Sequence, residues 1–247
     1  MRKSFKLLIS PKTLEEAKIV VKHKEVDFID CKNPSEGSLG ANFPWIIKQM
    51  KSLIQFRGSQ LLSATIGDFP NLPGTASLAA LGAAVAGADI VKVGLKGSTT
   101  EKESIFLMDK VVKAVKDYDK NIKVVAAGYA DKIRMETSPD FLSLPTIAAK
   151  SGADIVMLDT YIKDGKGLFN FLTVEQLKLF RDKAKELDLE VALAGNLRKD
   201  SLTKIKEIGP DIIGVRSLVC EGYDRNKGMI KGHLIEELKA ELYRQVP

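Results

Sequence analysis

Cysteine and histidine are nearly missing from this chain: each occurs twice in 247 residues, beside a single tryptophan. Cys31 and Cys220 lie far apart and neither has CxxC spacing, so a disulfide framework is excluded and a reducing cytoplasm is the expected setting. His23 and His233 fall on expected helix faces rather than beside a carboxylate cluster, which argues against a histidine base and leads to the expectation of a metal-free site. No apolar run is long enough to span a bilayer, and no signal-peptide pattern precedes the first apolar stretch, so neither membrane insertion nor export is expected. The net charge is +6, yet lysines and arginines alternate with acids along the helical segments, and neither a basic stripe nor an aromatic platform suits nucleic acid. Surplus positive charge does suit a small anionic substrate such as a sugar phosphate. Also missing is a glycine-rich phosphate fingerprint after the first apolar stretch. That position reads Ser10-Pro-Lys-Thr13, which weakens the case for an open doubly wound sheet.

What the chain does have is internal repetition. Ala88-Asp-Ile-Val-Lys-Val-Gly94, Ala153-Asp-Ile-Val-Met-Leu-Asp159 and Pro210-Asp-Ile-Ile-Gly-Val-Arg216 are close copies, and Val26-Asp-Phe-Ile-Asp-Cys-Lys32 is a looser fourth. The register restarts after 62, 65 and 57 residues, leaving room each time for a further strand and two helices. Apolar runs predict strands at 5–9, 26–32, 61–66, 88–94, 122–127, 153–159, 190–195 and 211–216. Helical patterns fall between them at 13–23, 42–56, 75–87, 100–117, 144–151, 173–187, 199–208 and 232–244. Strict alternation over this length predicts one domain, residues 1–247, folded as an α/β (β/α)8 barrel. The irregular stretches 33–42 and 67–73 each follow a strand and are expected to wall or cover its mouth. The apolar run Leu78-Ala-Ala-Leu-Gly-Ala-Ala-Val85 fits either the core or a contact between copies, so periodicity does not choose between a monomer and a homo-oligomer.

Aligning the copies stacks their residues into columns, and side chains two apart on a strand share a face. One column holds Asp30, Lys92, Met157 and Gly214; the next holds Lys32, Gly94, Asp159 and Arg216. Lys92 lies in the middle of an apolar strand, so its ammonium needs a carboxylate partner or a depressed pKa, and Asp30 is the partner its column offers. A neutral amine can attack a carbonyl, and Lys92 and Arg216 are cations suited to lowering the pKa of Lys32. Asp159, with Lys163 four residues on, can shuttle protons or hold that lysine, although Lys-Asp-Gly-Lys166 also reads as an ordinary solvated turn. Gly195, Arg216 and Ser217 fall after the last two strands, where many barrels bind phosphate. Spacing alone does not decide which of Lys32, Lys92 and Lys163 is the nucleophile.

Several segments together resemble one family: Asp30-Cys-Lys-Asn-Pro-Ser-Glu-Gly-Ser-Leu-Gly-Ala-Asn-Phe-Pro-Trp45, Ser63-Ala-Thr-Ile-Gly-Asp68, Lys92-Val-Gly-Leu95, Ala126-Ala-Gly-Tyr-Ala-Asp131, Met157-Leu-Asp-Thr160, Ile162-Lys-Asp-Gly165 and Gly214-Val-Arg216. The resemblance is to the (5-formylfuran-3-yl)methyl phosphate synthases of methanofuran biosynthesis, and it covers nearly the whole chain. It implies a barrel enzyme that joins two glyceraldehyde 3-phosphates, with loss of one phosphate and water, and needs no cofactor. It also implies Lys32 as the Schiff-base lysine and Lys92 as proton acceptor, with Asp159 and Lys163 in the catalytic set. Cys31 stands where an apolar residue is expected, a packing change. Two other readings remain open: a different lysine-dependent aldolase or isomerase of a small sugar phosphate, and a barrel that binds sugar phosphates without catalysis.

Overall fold

Strands buried on both faces need a covering layer on each side, and a chain that alternates such strands with amphipathic helices meets that need by closing the sheet into a ring. The computed structural model describes residues 5–55 and 59–243, so the expected helix ends at 56 and 244, and the outermost residues of the expected domain, lie outside the described residues. The strands are β1 (Lys6–Ile9), β2 (Phe28–Cys31), β3 (Leu61–Phe69), β4 (Ile90–Leu95), β5 (Lys123–Tyr129), β6 (Ile155–Asp159), β7 (Glu190–Leu193) and β8 (Ile212–Val215). They form a closed barrel in chain order, all neighbours parallel, and β8 pairs back onto β1. The surrounding helices are α1 (Leu14–Val20), α2 (Pro44–Gln55), α3 (Pro73–Val85), α4 (Glu101–Tyr118), α5 (Leu144–Ser151), α6 (Val174–Lys185), α7 (Leu202–Ile208) and α8 (Gly232–Tyr243).

Local chemistry sets the helix ends. Thr100 with Glu103, and Thr173 with Gln176, form capping boxes that start α4 and α6, while Gly152 and Gly209 end α5 and α7 in the left-handed conformation. The helices pack on the outward strand residues to make the larger core. A second, inner core fills the barrel with Leu8, Phe28, Ile90, Val125, Ile155, Met157 and Ile212 among others. Below it, Glu190 bridges Lys6 at 2.5 Å and Lys123 at 2.8 Å, so an ionic plug closes the end opposite the strand C-termini.

Two expectations are corrected. Residues 67–69 do not leave the sheet. The β3–β4 register slips between Thr65 and Asp68, and Gly67 takes φ +125°, so one bulge lets β3 run on to Phe69 and brings Asp68 opposite Gly94. His23 lies in the turn after α1 rather than on its face, because α1 ends at Val20. In α3, Ala80, Ala83 and Ala84 face the core, whereas Leu78 is 72% exposed and Val85 is exposed too, so the apolar run only partly serves the interior. Among the described residues, no helix is long and apolar enough to cross a membrane.

Candidate active site

Period-two alternation makes β2, β4, β6 and β8 supply the same interior tiers. The tier at the middle of the barrel contains Asp30 and Lys92, each about 1% exposed, with Lys92 Nζ 2.8 Å from Asp30 Oδ1. Ser10 Oγ donates to the other carboxylate oxygen at 2.8 Å. One tier up, Lys32 stands just past the end of β2, where Pro34 in the following turn stops the strand, and its Nζ is 3.8 Å from Asp30 Oδ2. One carboxylate thus serves two lysines. Burial pushes the Asp30 carboxyl up, but the ammonium charges of Lys92 and Lys32 outweigh it and hold the group below its usual range.

Burial is the main cause that brings Lys32 down to about 8, with Asp30 and Asp159 opposing and Lys163 and Lys92 adding to the depression. Arg216, expected from sequence to share in this, is not among the main causes, and its guanidinium is bonded to Glu16. Asp159 closes β6, accepts a hydrogen bond from Lys163 Nζ at 2.6 Å and another from the Thr160 amide at 2.7 Å. Burial raises the Asp159 carboxyl, but Lys163 and Lys32 more than reverse that, so it lies far below its ordinary value. Lys163, for which the sequence left open both a place beside Asp159 and a solvated turn, reaches back toward the barrel and is largely buried; burial lowers its pKa against the pull of Asp159.

The third tier member, Gly94, has no side chain for a steric reason. A Cβ there would lie 2.1 Å from the Tyr129 hydroxyl and 2.8 Å from Asp68 Oδ1. Tyr129 donates a short hydrogen bond to Asp68, and this pair fills the space that Gly94 leaves open. The loop 33–42 folds over the mouth as expected of a wall, held by Leu39 N to Asp68 at 3.2 Å, Ser38 Oγ to the Thr160 carbonyl at 2.8 Å, and Thr65 Oγ1 to the Gly40 carbonyl at 2.7 Å. Asp131, fully buried, accepts from the amides of Tyr161 and Ile162 at 2.6 and 3.0 Å, fixing the turn from which Lys163 returns to Asp159. Composition gave no signal for Asp68, Tyr129 or Asp131; only the family-like segments contained them.

The expected phosphate region is partly different from the sequence reading. Gly195 follows β7 with φ +102°, close against Thr160, and the hydroxyl of Ser217 donates to Asn196 Oδ1 at 3.3 Å. Both line a pocket shared with Asp30, Lys32, Asp159 and Lys163. The fork of Arg216, however, is taken by Glu16 of α1, with Nη1 and Nη2 at 2.7 and 3.1 Å from its carboxylate and Nη1 also donating to the Ser10 carbonyl at 2.9 Å. The chain could not announce this pairing, since the partners are 200 residues apart. Cys31 and Cys220 are buried free thiols, and burial pushes Cys31 up to about 12, which makes it inert packing. Among the described residues, no group of three His, Cys, Asp or Glu side chains is placed to hold a metal ion.

Comparison with known proteins gives concordant findings. The profile of the family described as 4-HFC-P synthase matches residues 7–239. The chain is 54% identical to the (5-formylfuran-3-yl)methyl phosphate synthase of Methanosarcina barkeri over 96% of this chain and 98% of that one. It is 51% identical to the protein of the same name from Methanocaldococcus jannaschii over 94% of this chain and 97% of that one. Among solved structures, a 3-hexulose-6-phosphate synthase superposes with TM-score 0.66 at 18% identity, covering 96% of this chain and 100% of the other, and so speaks for the barrel alone.

Proposed function

The chain belongs to the 4-HFC-P synthase family, and from that premise we propose that it is a carbon–oxygen lyase of methanofuran biosynthesis that condenses two molecules of glyceraldehyde 3-phosphate to (5-formylfuran-3-yl)methyl phosphate. The observation that carries this reading is Lys32: a buried amine brought to about 8, facing a carboxylate it shares with a second buried lysine. Lys32 is also the least committed of the three amines. Lys92 and Lys163 sit within 2.8 and 2.6 Å of a carboxylate oxygen, whereas Lys32 stands 3.8 Å from its nearest acid, beyond hydrogen-bond reach.

In the proposed sequence, the Lys32 amine adds to the aldehyde carbon, and loss of water leaves an iminium. The iminium draws electrons from the adjacent carbon, whose proton passes to Lys92 as the proton that Lys92 shares with Asp30 moves onto the carboxylate. The resulting enamine expels phosphate from the next carbon or attacks the second aldehyde. Asp159 and Lys163, hydrogen-bonded to each other at 2.6 Å, exchange protons with the hydroxyl groups lost as water during ring closure. One phosphate leaves and one stays on the product, and hydrolysis of the final iminium frees the aldehyde and the Lys32 amine. The loop 33–42 and the tier of Leu39 and Tyr129 keep bulk water from the imine. Two free cysteines fit a cytoplasmic setting for this activity.

Two measurements test the reading. Incubation with glyceraldehyde 3-phosphate is expected to give a furan aldehyde absorbance with one phosphate released for every two trioses consumed. An acyclic aldol with all phosphate retained would assign the barrel to a different lysine aldolase. The pH profile is the second. Because the imine requires the neutral amine, kcat/KM is expected to rise about tenfold per unit below pH 8 and to level off above it. At pH 7 roughly a tenth of Lys32 is neutral, against about three in ten thousand for an ordinary lysine. A profile that is flat from pH 6 to 9 would remove Lys32 from the titrating role.

A further inference from the structure

Since Glu16 and Ser10 occupy the fork of Arg216, the mouth needs another group to receive an anion. The fourth bond of Arg216 shows where to look: its Nε donates to the backbone carbonyl of Arg225 at 3.2 Å. Arg225 lies in a tight turn after β8. Asp224 Oδ1 accepts from the amides of Asn226 and Lys227 at 2.8 and 3.3 Å, the Gly228 amide returns to the Asp224 carbonyl at 2.9 Å, and Glu221 and Met229 close the loop base. A Cβ on Gly228 would lie 2.1 Å from the Glu221 carbonyl, so the turn is tight enough to demand glycine. The backbone of Arg225 is therefore pinned.

Its head group is not. Among the described residues, the Arg225 guanidinium makes no hydrogen bond and no ion pair, although the residue is half-buried. It borders three adjoining hollows at once: the deep pocket of Lys32 and Asp159, the outer basin of Lys166 and Lys199, and the cleft under Gly37 and Ser38. Asp159, the acid whose charge acts most on it, is already bonded to Lys163. A guanidinium held out of water without a partner is unfavourable, and its charge further depresses Lys163. A doubly charged phosphate monoester would satisfy it through two parallel N–H···O bonds.

We propose that Arg225, carried on a post made of Glu16 and Arg216, is the positioning residue that grips a substrate phosphate at the junction of the deep pocket and the outer basin. This assignment rests on the phosphotriose reading above and replaces Arg216 as the phosphate-binding arginine. Arg225 orients the triose so that its aldehyde meets Lys32, and it is not itself a proton carrier.

The test uses sn-glycerol 3-phosphate, a phosphate monoester without a carbonyl, titrated calorimetrically into the full chain. Arg225→Gln is expected to weaken its binding by about 10–100-fold, to raise KM for glyceraldehyde 3-phosphate by a similar factor with a much smaller change in kcat, and to leave the melting temperature the same or slightly higher, since among the described residues the guanidinium makes no hydrogen bond or ion pair. Arg225→Lys should recover part of the affinity, as a point charge without the fork. If wild type binds glycerol 3-phosphate and Arg225→Gln binds it equally well, the assignment of Arg225 is wrong while the phosphotriose reading stands. If wild type binds neither glycerol 3-phosphate nor glyceraldehyde 3-phosphate, both fall together.

Discussion

Lys32→Arg is expected to lower turnover by about four orders of magnitude or more, because it keeps the positive charge while removing the amine proposed to form the imine. Arginine stays protonated under all accessible conditions, so raising the pH will not rescue it. Borohydride reduction in the presence of glyceraldehyde 3-phosphate should fix a triose-derived mass on the peptide containing Lys32 in the wild type, and on no peptide in the variant. The outcome that would sink the assignment is an adduct that persists in the variant and maps to Lys92 or Lys163. Fold stability should change little by comparison, since Lys32 lies beyond hydrogen-bond distance of its nearest acid.

Asp30→Asn is the second large effect, and here stability and activity should fall together. The carboxylate sits between two buried amines, 2.8 Å from Lys92 and 3.8 Å from Lys32, and only Ser10 shares it. Removing its charge leaves Lys92 buried without a counter-ion, a change that costs about 3–5 kcal/mol. For a chain of this size that corresponds to a drop of roughly 10 °C in melting temperature. The double variant Asp30→Asn/Lys92→Met separates the two roles. Replacing the ion pair by neutral groups of similar volume should restore most of the lost stability, while turnover stays near zero if Lys92 is the proton acceptor proposed above. A purely structural pair would instead return turnover along with stability.

Much of the architecture was readable from the chain because periodicity and repetition are local properties. The four copies of one strand predicted the ring and the tiers, and Lys92 and Asp30 meet within the tier their column defined. Strand ends shifted by a residue or two, and the extension of β3 was hidden because a bulge at Gly67 looks like a turn in sequence. The site was less legible wherever its geometry depends on partners remote in sequence. Nothing near Arg216 tells that Glu16 will occupy it, and Tyr223-Asp-Arg-Asn-Lys-Gly228 reads as an ordinary polar turn until its arginine is seen to lack a partner. Gly94 did leave a trace, a gap in an otherwise charged column, but which side chain fills it requires coordinates.

The clasp between Glu16 and Arg216 also sets an order of assembly. It joins the first helix to the residue after the last strand, across the seam where β1 meets β8. On the ribosome, Lys32 and Lys92 emerge long before the segment that completes the ring, and domains generally fold as units. Until Arg216 arrives, Glu16 lacks the counter-charge that it has in the folded barrel, and the turn bearing Arg225 follows later still. On the proposed assignment of Arg225, a nascent chain displays its lysines before it has a grip for phosphate, and the site is completed only when the segment after the last strand locks onto the first helix.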